Sequence, residues 1–255
     1  MIEIKNNLVE YYQLFRSYEV FQNYIKYAIR DLSPQIFVEK EENPQCIVFY
    51  SYPAFFIFGE PSKQYNENVF SLFTKDSWII ASSNAWKQAI QDHFKDDVQI
   101  HPRVQFSSSS LKLDYIRSQR RNIPTGLSIV PIEAKHLTKG MIYDDVITKF
   151  YTQSDFLSNG FGFALINDQG VCHGFSLTNY PIVGHEIELY VRVGYESYQH
   201  NRLQGMGTTL CTYFIEEALK RGYVPIWDSA NDISTHIAKK LGYKEEKVWF
   251  MYHHL

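Results

Sequence analysis

Arg202-Leu203-Gln204-Gly205-Met206-Gly207-Thr208-Thr209-Leu210 stands a few residues after Glu186-Ile187-Glu188-Leu189-Tyr190-Val191-Arg192-Val193, and these two stretches decide the reading of the chain. The earlier stretch alternates without a break. Glu186, Glu188, Tyr190 and Arg192 fall on one face, and Ile187, Leu189, Val191 and Val193 on the other, which is the period of a half-buried strand. After the glycines, Leu210, Phe214 and Ala218 recur at helical spacing, with Glu216, Glu217, Lys220 and Arg221 elsewhere on the helix. Strand, glycine-bearing loop and helix is the order that a phosphate site requires. Glycines at a helix start let a ligand approach the backbone, and the first-turn amides at the positive end of the helix dipole attract an anion. The spacing is not that of a Walker loop, and the third glycine of a dinucleotide fingerprint would fall at Leu210. Both an NTPase and a dinucleotide dehydrogenase are disfavoured.

Working outward, residues from Leu127 onward read as alternating strands and helices. Leu127 to Pro131 and Phe161 to Asn167 are expected strands, with a helix from Asp144 to Phe150 between them. A turn at Asp168-Gln169-Gly170 leads into Val171 to Thr178 and makes a hairpin. Gly205 to Arg221 is a helix, Val224 to Asp228 a strand, Asp232 to Leu241 a helix, and Trp249 to His253 a last strand. This order specifies an α+β class with a mixed sheet. The turn formers Asn122-Ile123-Pro124-Thr125-Gly126 mark the expected boundary, giving domains 1–122 and 123–255. In the first, residues 1 to about 30 read as helical, Ile36 to Phe58 as broken strands, Trp78 to Ala81 as a strand and Ala85 to Phe94 as a helix. Its aromatics read as core. Leu111 to Ile116 reads as a helix capped by Ser109 or Ser110. The basic run Lys112 to Arg121 reads as a solvated helix face leading into a linker.

Composition narrows the function. The chain has 255 residues, a formal charge of −3 and 45% hydrophobic residues, enough to fill a core and to exclude general disorder. The near-neutral balance argues against a dedicated nucleic-acid binder. Cys46, Cys172 and Cys211 are few, odd in number and far apart, as expected in a reducing cytosol. The first thirty residues hold no apolar leader core, and the apolar stretch from Cys46 to Phe58 is interrupted by Ser51 and Pro53. It falls short of the roughly 20 residues of a bilayer crossing. A cytoplasmic protein without membrane or nucleic-acid partners is expected. The histidines do not make a metal set: His253 and His254 are adjacent and would point to opposite faces of a strand, and His173, His185 and His200 are isolated.

Arg202, Gly205 and Gly207 have the spacing of the R/Q-x-x-G-x-G/A pyrophosphate loop of the GNAT acetyltransferases, which this sequence resembles over about residues 127 to 245. Asn231-Asp232-Ile233-Ser234, leading to Lys239-Lys240-Leu241-Gly242-Tyr243, is similar to that family's N-x-x-S/A … K-x-G-F/Y segment. Phe161-Gly162-Phe163, Glu186-Ile187-Glu188 and Trp227-Asp228-Ser229-Ala230-Asn231 look like a bacterial subgroup in which an N-terminal region precedes the catalytic domain. The resemblance implies a GNAT-like mixed sheet flanked by helices, with an additional N-terminal α/β domain. It implies acetyl-CoA as co-substrate, no metal, and direct transfer to an amine of a small molecule or peptide.

Strands 186–193 and 224–228 would then splay to admit the pantetheine arm, which backbone groups near Val191 and Val193 would bond. Arg202, Leu203, Gln204, Gly205, Met206, Gly207 and Thr208 would hold the pyrophosphate, and Asn231 with Ser234 would contact the cofactor. Glu188 is the expected base, with Glu186 as relay or rival; an ordinary polar strand face is the alternative. The sequence departs from the family where Ala238 fills the usual tyrosine position of the general acid, leaving Tyr243, His236, Tyr190 or unassisted thiolate departure. It departs again at Asn201-Arg202 and Gln204, which make the loop less cationic, and in the nine steps from Val193 to Arg202. A second reading is a GNAT-shaped module that binds acyl-CoA or a partner with little turnover. A third makes the N-terminal half a degenerate copy of the same fold. A homodimer is compatible with the sequence.

Overall fold

Residues 1–5, 11, 22–29, 34–81, 83–137, 141–150, 152–194 and 204–255 are described by the structure, a computed structural model, without the side chains of 22, 23, 141 and 147–150. They divide into two units, Met1–Arg103 with Val248–Leu255, and Val104–Lys247.

The first unit contains β1 (Ile2–Ile4), α1 (Gln22–Tyr27), β2 (Gln35–Val38), β3 (Cys46–Ser51), β4 (Ala54–Gly59), α2 (Asn66–Phe70), β5 (Trp78–Ala81) and α3 (Asn84–Phe94). β6 (Val98–Ser107) begins in this unit and ends in the second. β1 to β4 pair as antiparallel neighbours, and β4 pairs with β5 in parallel. The far side of β5 is covered by the last strand of the chain, β12 (Lys244–His254), with Met251 opposite Ile80. β-branched and aromatic residues fill both sheet faces, as a fully buried strand requires. Phe55, Ile57, Phe70, Trp86 and Ile90 form one core, and the Trp86 indole donates to the Gly59 carbonyl at 2.9 Å. On the other face Tyr24 of α1 stacks on Phe56 and donates to Ser51 Oγ at 2.9 Å. Ile2–Ile4 is therefore a strand, and the expectation of a helix from residue 1 is corrected: this segment finds its backbone partners in Ile36–Val38. Much of that expected helix lies outside the described residues.

The second unit contains α4 (Leu113–Ser118), β7 (Leu127–Pro131), α5 (Met141–Phe150), α6 (Gln153–Asn159), β8 (Gly162–Asn167), β9 (Cys172–Thr178), β10 (Glu186–Val193), α7 (Met206–Lys220), β11 (Val224–Ser229) and α8 (Asp232–Lys240). β7 to β10 are antiparallel neighbours, β10 and β11 are parallel, and Val104–Phe106 of β6 edges β11 antiparallel. One face packs Ile187, Leu189 and Trp227 against Cys211, Phe214, Ile215 and Ala218 of α7 and Ala238 of α8. The other packs Ala164, Phe175 and Leu177 against Ile142 and Val146 of α5 and Phe156 of α6. The mixed sheet is thus flanked by helices on both sides, an α+β architecture.

Two local expectations are corrected here. The residue before α4 is Lys112, which makes no side-chain cap, because Ser110 donates to the Gly242 carbonyl and Ser109 bonds within its own turn. α6 was not expected; Thr152 caps it by accepting from the Asp155 amide at 3.0 Å. The two units part at positions other than the expected 122/123. Ile116 places α4 in the core of the second unit, and β12 returns the chain to the first.

Both units run through one order of elements. Two antiparallel strands lead to a third, then a helix, a parallel neighbour, a helix and a closing strand. The series are β2-β3-β4-α2-β5-α3-β6 and β8-β9-β10-α7-β11-α8-β12. The closing strands are exchanged, since β6 completes the second unit and β12 the first.

Candidate functional site

In the second unit β10 and β11 pair only at Glu186–Val224, Ile187–Pro225 and Glu188–Ile226. Beyond Glu188 the strands part: β10 continues with β9 alone, while Trp227, Asp228 and Ser229 of β11 pair with β6. Strand geometry fixes what the opened edge presents. Glu188 O accepts from the Asn179 amide at 2.8 Å and the Gly194 amide donates to His173 O at 2.9 Å, so even-numbered residues bond toward β9. The odd ones, Leu189, Val191 and Val193, turn their N–H and C=O groups to the opening. His185 O, bonded to the Val224 amide, has the same parity on the same edge. Among the described residues, Val191 and Val193 thus turn their backbone polar groups to a gap between two strands.

The loop after β10 ends at this gap. Gly205 is the N-cap of α7 with φ 85 and ψ 0, a left-handed conformation natural to glycine. Its carbonyl accepts from the Thr209 amide at 3.1 Å, and, having no side chain, it caps none of the first-turn amides. The amides of Met206, Gly207 and Thr208 are left at the positive end of a fifteen-residue helix. A Cβ on Gly207 would stand 3.2 Å from Val193 Cγ2, so the helix start adjoins the open edge of β10. Gln204 is exposed. Arg202 and Leu203, both expected in the loop, lie outside the described residues.

Asn231 is the N-cap of α8, with its Oδ1 accepting from the Ser234 amide at 2.9 Å. Ser234 Oγ accepts from the Trp227 indole at 3.0 Å. Both residues therefore hold local structure at the end of β11.

Glu188 lies on the face of β10 that looks toward α5 and α6. Its Oε1 accepts from Asn179 Nδ2 at 2.9 Å, which fixes the carboxylate, and Asn179 is 8% exposed. Glu186, two residues earlier on the same face, is exposed. Two residues later Tyr190 donates to Asp145 of α5 at 3.1 Å, and Arg192 bonds the other oxygen of Asp145 at 2.6 Å. Burial, then the Asp145 carboxylate, pushes the Tyr190 phenol up to about 12. Tyr243 is buried, donates to Pro225 O at 3.1 Å, and is pushed well above the usual range by desolvation. Ala238 is fully buried in the core, and His236 is exposed on α8. Asn179 and Asp145 were not singled out in the sequence, because nothing in their neighbours signals contacts across strands and layers.

Arg117 and Arg120, read as solvated, converge with Lys220 on Glu216 of α7. The Arg117 hydrogen bond foremost, then those of Lys220 and Arg120, brings the Glu216 carboxyl down to about 2 against the opposing effect of desolvation. Burial pushes the Cys46 thiol up to about 12 and Cys172 to about 11. Among the described residues no group of three or more His, Cys, Asp or Glu is arranged to hold a metal, and no helix is long and apolar enough to cross a membrane.

A family model described as GNAT acetyltransferase matches residues 13–252. The chain is similar to a GCN5-related N-acetyltransferase-like protein from Streptococcus suis 89/1591, with 18% identity, a TM-score of 0.73, and 96% of this chain and 97% of the other covered. A GCN5-related N-acetyltransferase from Kribbella flavida gives 12% identity, a TM-score of 0.54 and coverage of 90% and 91%. A tandem GNAT protein from the clavulanic acid biosynthesis pathway gives 11%, 0.54, and 86% and 82%. Comparison with curated proteins gave no match.

Proposed function

The chain belongs to the GNAT acetyltransferase family, and we propose that its second unit transfers an acetyl group from acetyl-CoA directly to an amine. The observation that carries this reading is the meeting of an opened β10 edge with an uncapped helix start at Gly205. The odd-numbered backbone groups of β10 suit the amides of the pantetheine arm. The amides of Met206, Gly207 and Thr208 suit the pyrophosphate.

In the reaction the amine nitrogen bonds to the thioester carbonyl carbon and the carbon–sulfur bond breaks. The proton of the amine passes to Glu188, directly or through water, and the departing thiolate takes a proton from water. A backbone amide of the open edge stabilises the oxyanion that forms in between. Water is assigned as the proton donor because Ala238 lies in the core, Tyr243 is bonded to Pro225 and Tyr190 to Asp145. Glu186 serves as a relay at the exposed end of the same strand face.

The first unit is, in this reading, a copy of the fold without a CoA site. β5 pairs with β4 along its whole length, so no gap opens. The helix after β4 has five residues and Tyr65 at its N-cap. A tandem arrangement is the description of one of the similar structures. The absence of the family tyrosine at Ala238 favours a second reading, an acyl-CoA-binding module with little turnover. A panel of amines with acetyl-CoA, followed by thiol release, decides between them. Acetylation of an amine in the panel supports the enzyme; CoA binding without thiol release from any amine supports the module.

A further inference from the structure

We propose that Arg121 supplies the cation of the pyrophosphate loop, a residue 83 positions upstream of Gln204 in sequence; the inference rests on the reading of that loop as the CoA site. Three arginines, Arg117, Arg120 and Arg121, lie along one side of α7. The first two are tied to Glu216. Arg121 is not: among the described residues no carboxylate forms an ion pair with it, and the side chain is exposed. Its backbone amide donates to Thr209 Oγ1 at 3.1 Å, which pins the residue to the first turn of the helix. Its guanidinium donates through Nη1 to the Gln204 carbonyl at 3.2 Å. A Cβ built on Gly205 would come within 2.6 Å of Arg121 Cδ and Nε, so the side chain lies directly on the left-handed glycine.

The position answers a deficit in the loop itself. Gln204 stands where the family pattern has a basic residue, and Arg121 reaches that same residue through space. One guanidinium nitrogen is used on a backbone carbonyl; the remaining donors form a planar fork suited to two phosphate oxygens. The uncapped amides of α7 and this fork would share one anion, with charge-assisted bonds stronger than the amides alone. We assign the pyrophosphate, not the 3′-phosphate, because Arg121 rests on Gly205, immediately before the uncapped helix start.

Calorimetric titration of the full chain with CoA and with 3′-dephospho-CoA tests this, using the wild type, Arg121→Gln and Arg121→Lys. Arg121→Gln is expected to weaken both ligands by the same factor, about tenfold. Arg121→Lys should recover part of the loss, since it restores charge but not the fork. Melting without ligand should move little, because the bond to Thr209 is made by the backbone. Unchanged affinity in Arg121→Gln overturns the assignment. A loss confined to CoA also overturns it, in favour of the 3′-phosphate. If the wild type binds neither ligand, the loop reading itself fails, a result distinct from either.

Discussion

Replacing Gly205 by alanine tests the local physics of the site most sharply. At φ 85 and ψ 0 the backbone is in the left-handed region, where an L side chain meets the neighbouring carbonyl. That conformation costs roughly 1–2 kcal/mol for alanine. The new Cβ would also stand 2.6 Å from Arg121 Cδ and Nε. The arginine is flexible and exposed, so it swings away and gives up its bond to the Gln204 carbonyl, worth about 0.5 kcal/mol at the surface. The sum is about 2 kcal/mol, or about 4–8 °C in melting temperature for a chain of this size. Differential scanning calorimetry reads the shift, and titration with CoA reads the binding, which should fall with Arg121 displaced. Gly205→Asn separates the two contributions. Asparagine tolerates the left-handed region, so this variant should melt above Gly205→Ala while CoA binding stays impaired. An alanine variant that melts with the wild type would refute the argument.

Gly207→Val places a branched side chain at the helix start, where among the described residues Val193 Cγ2 crowds the Cβ at 3.2 Å. The fold should survive while CoA affinity drops about tenfold, close to 1.4 kcal/mol; undiminished calorimetric affinity would remove the loop from the site. Glu188→Gln keeps the hydrogen-bonding shape beside Asn179 but cannot take a proton, so CoA binding should persist and kcat should fall by a factor of about 10² or more. Equal turnover in this variant, measured with the amine identified in the panel, would remove the proposed base. For Glu216 the folded pKa of about 2 lies below the ordinary 4.5. The stability it contributes is full above the unfolded value and is lost as pH falls toward the folded one. Glu216→Gln should therefore lose on the order of 2 kcal/mol at neutral pH and show a shallower acid limb in urea unfolding, the half-exposed Arg117 limiting the effect. Identical acid limbs would mean that the arginine cluster contributes nothing.

The sequence makes some of this arrangement legible and hides the rest for identifiable reasons. β10 was readable end to end because eight residues alternate without exception, and that alternation decided which face carries Glu188. α7 was readable because its apolar stripe runs three turns beyond the glycines. β6 was not, although Ile100, Val104 and Phe106 alternate with polar residues, because Pro102 interrupts the run and a proline argues against a paired strand. The exchange of β6 and β12 has no local signature: each strand reads the same whichever unit it completes. The cation at the loop was hidden for a related reason. Arg121 sits in a basic run whose other members pair with Glu216, and only packing of α4 along α7 separates the paired arginines from the remaining one. Similarly, Asn179 joins Glu188 because β9 and β10 are neighbours, a fact of register and not of spacing.

The proposed CoA site of the second unit is formed by the opened edge of β10 and the helix start at Gly205. Titration calorimetry of the full chain with CoA, paired with a thermal melt at millimolar ligand, tests it without knowledge of the acceptor. Saturable heat at one site per chain and a rise in melting temperature are expected, since a ligand bound only by the native state stabilises it by mass action. No heat and no shift at that concentration would contradict it.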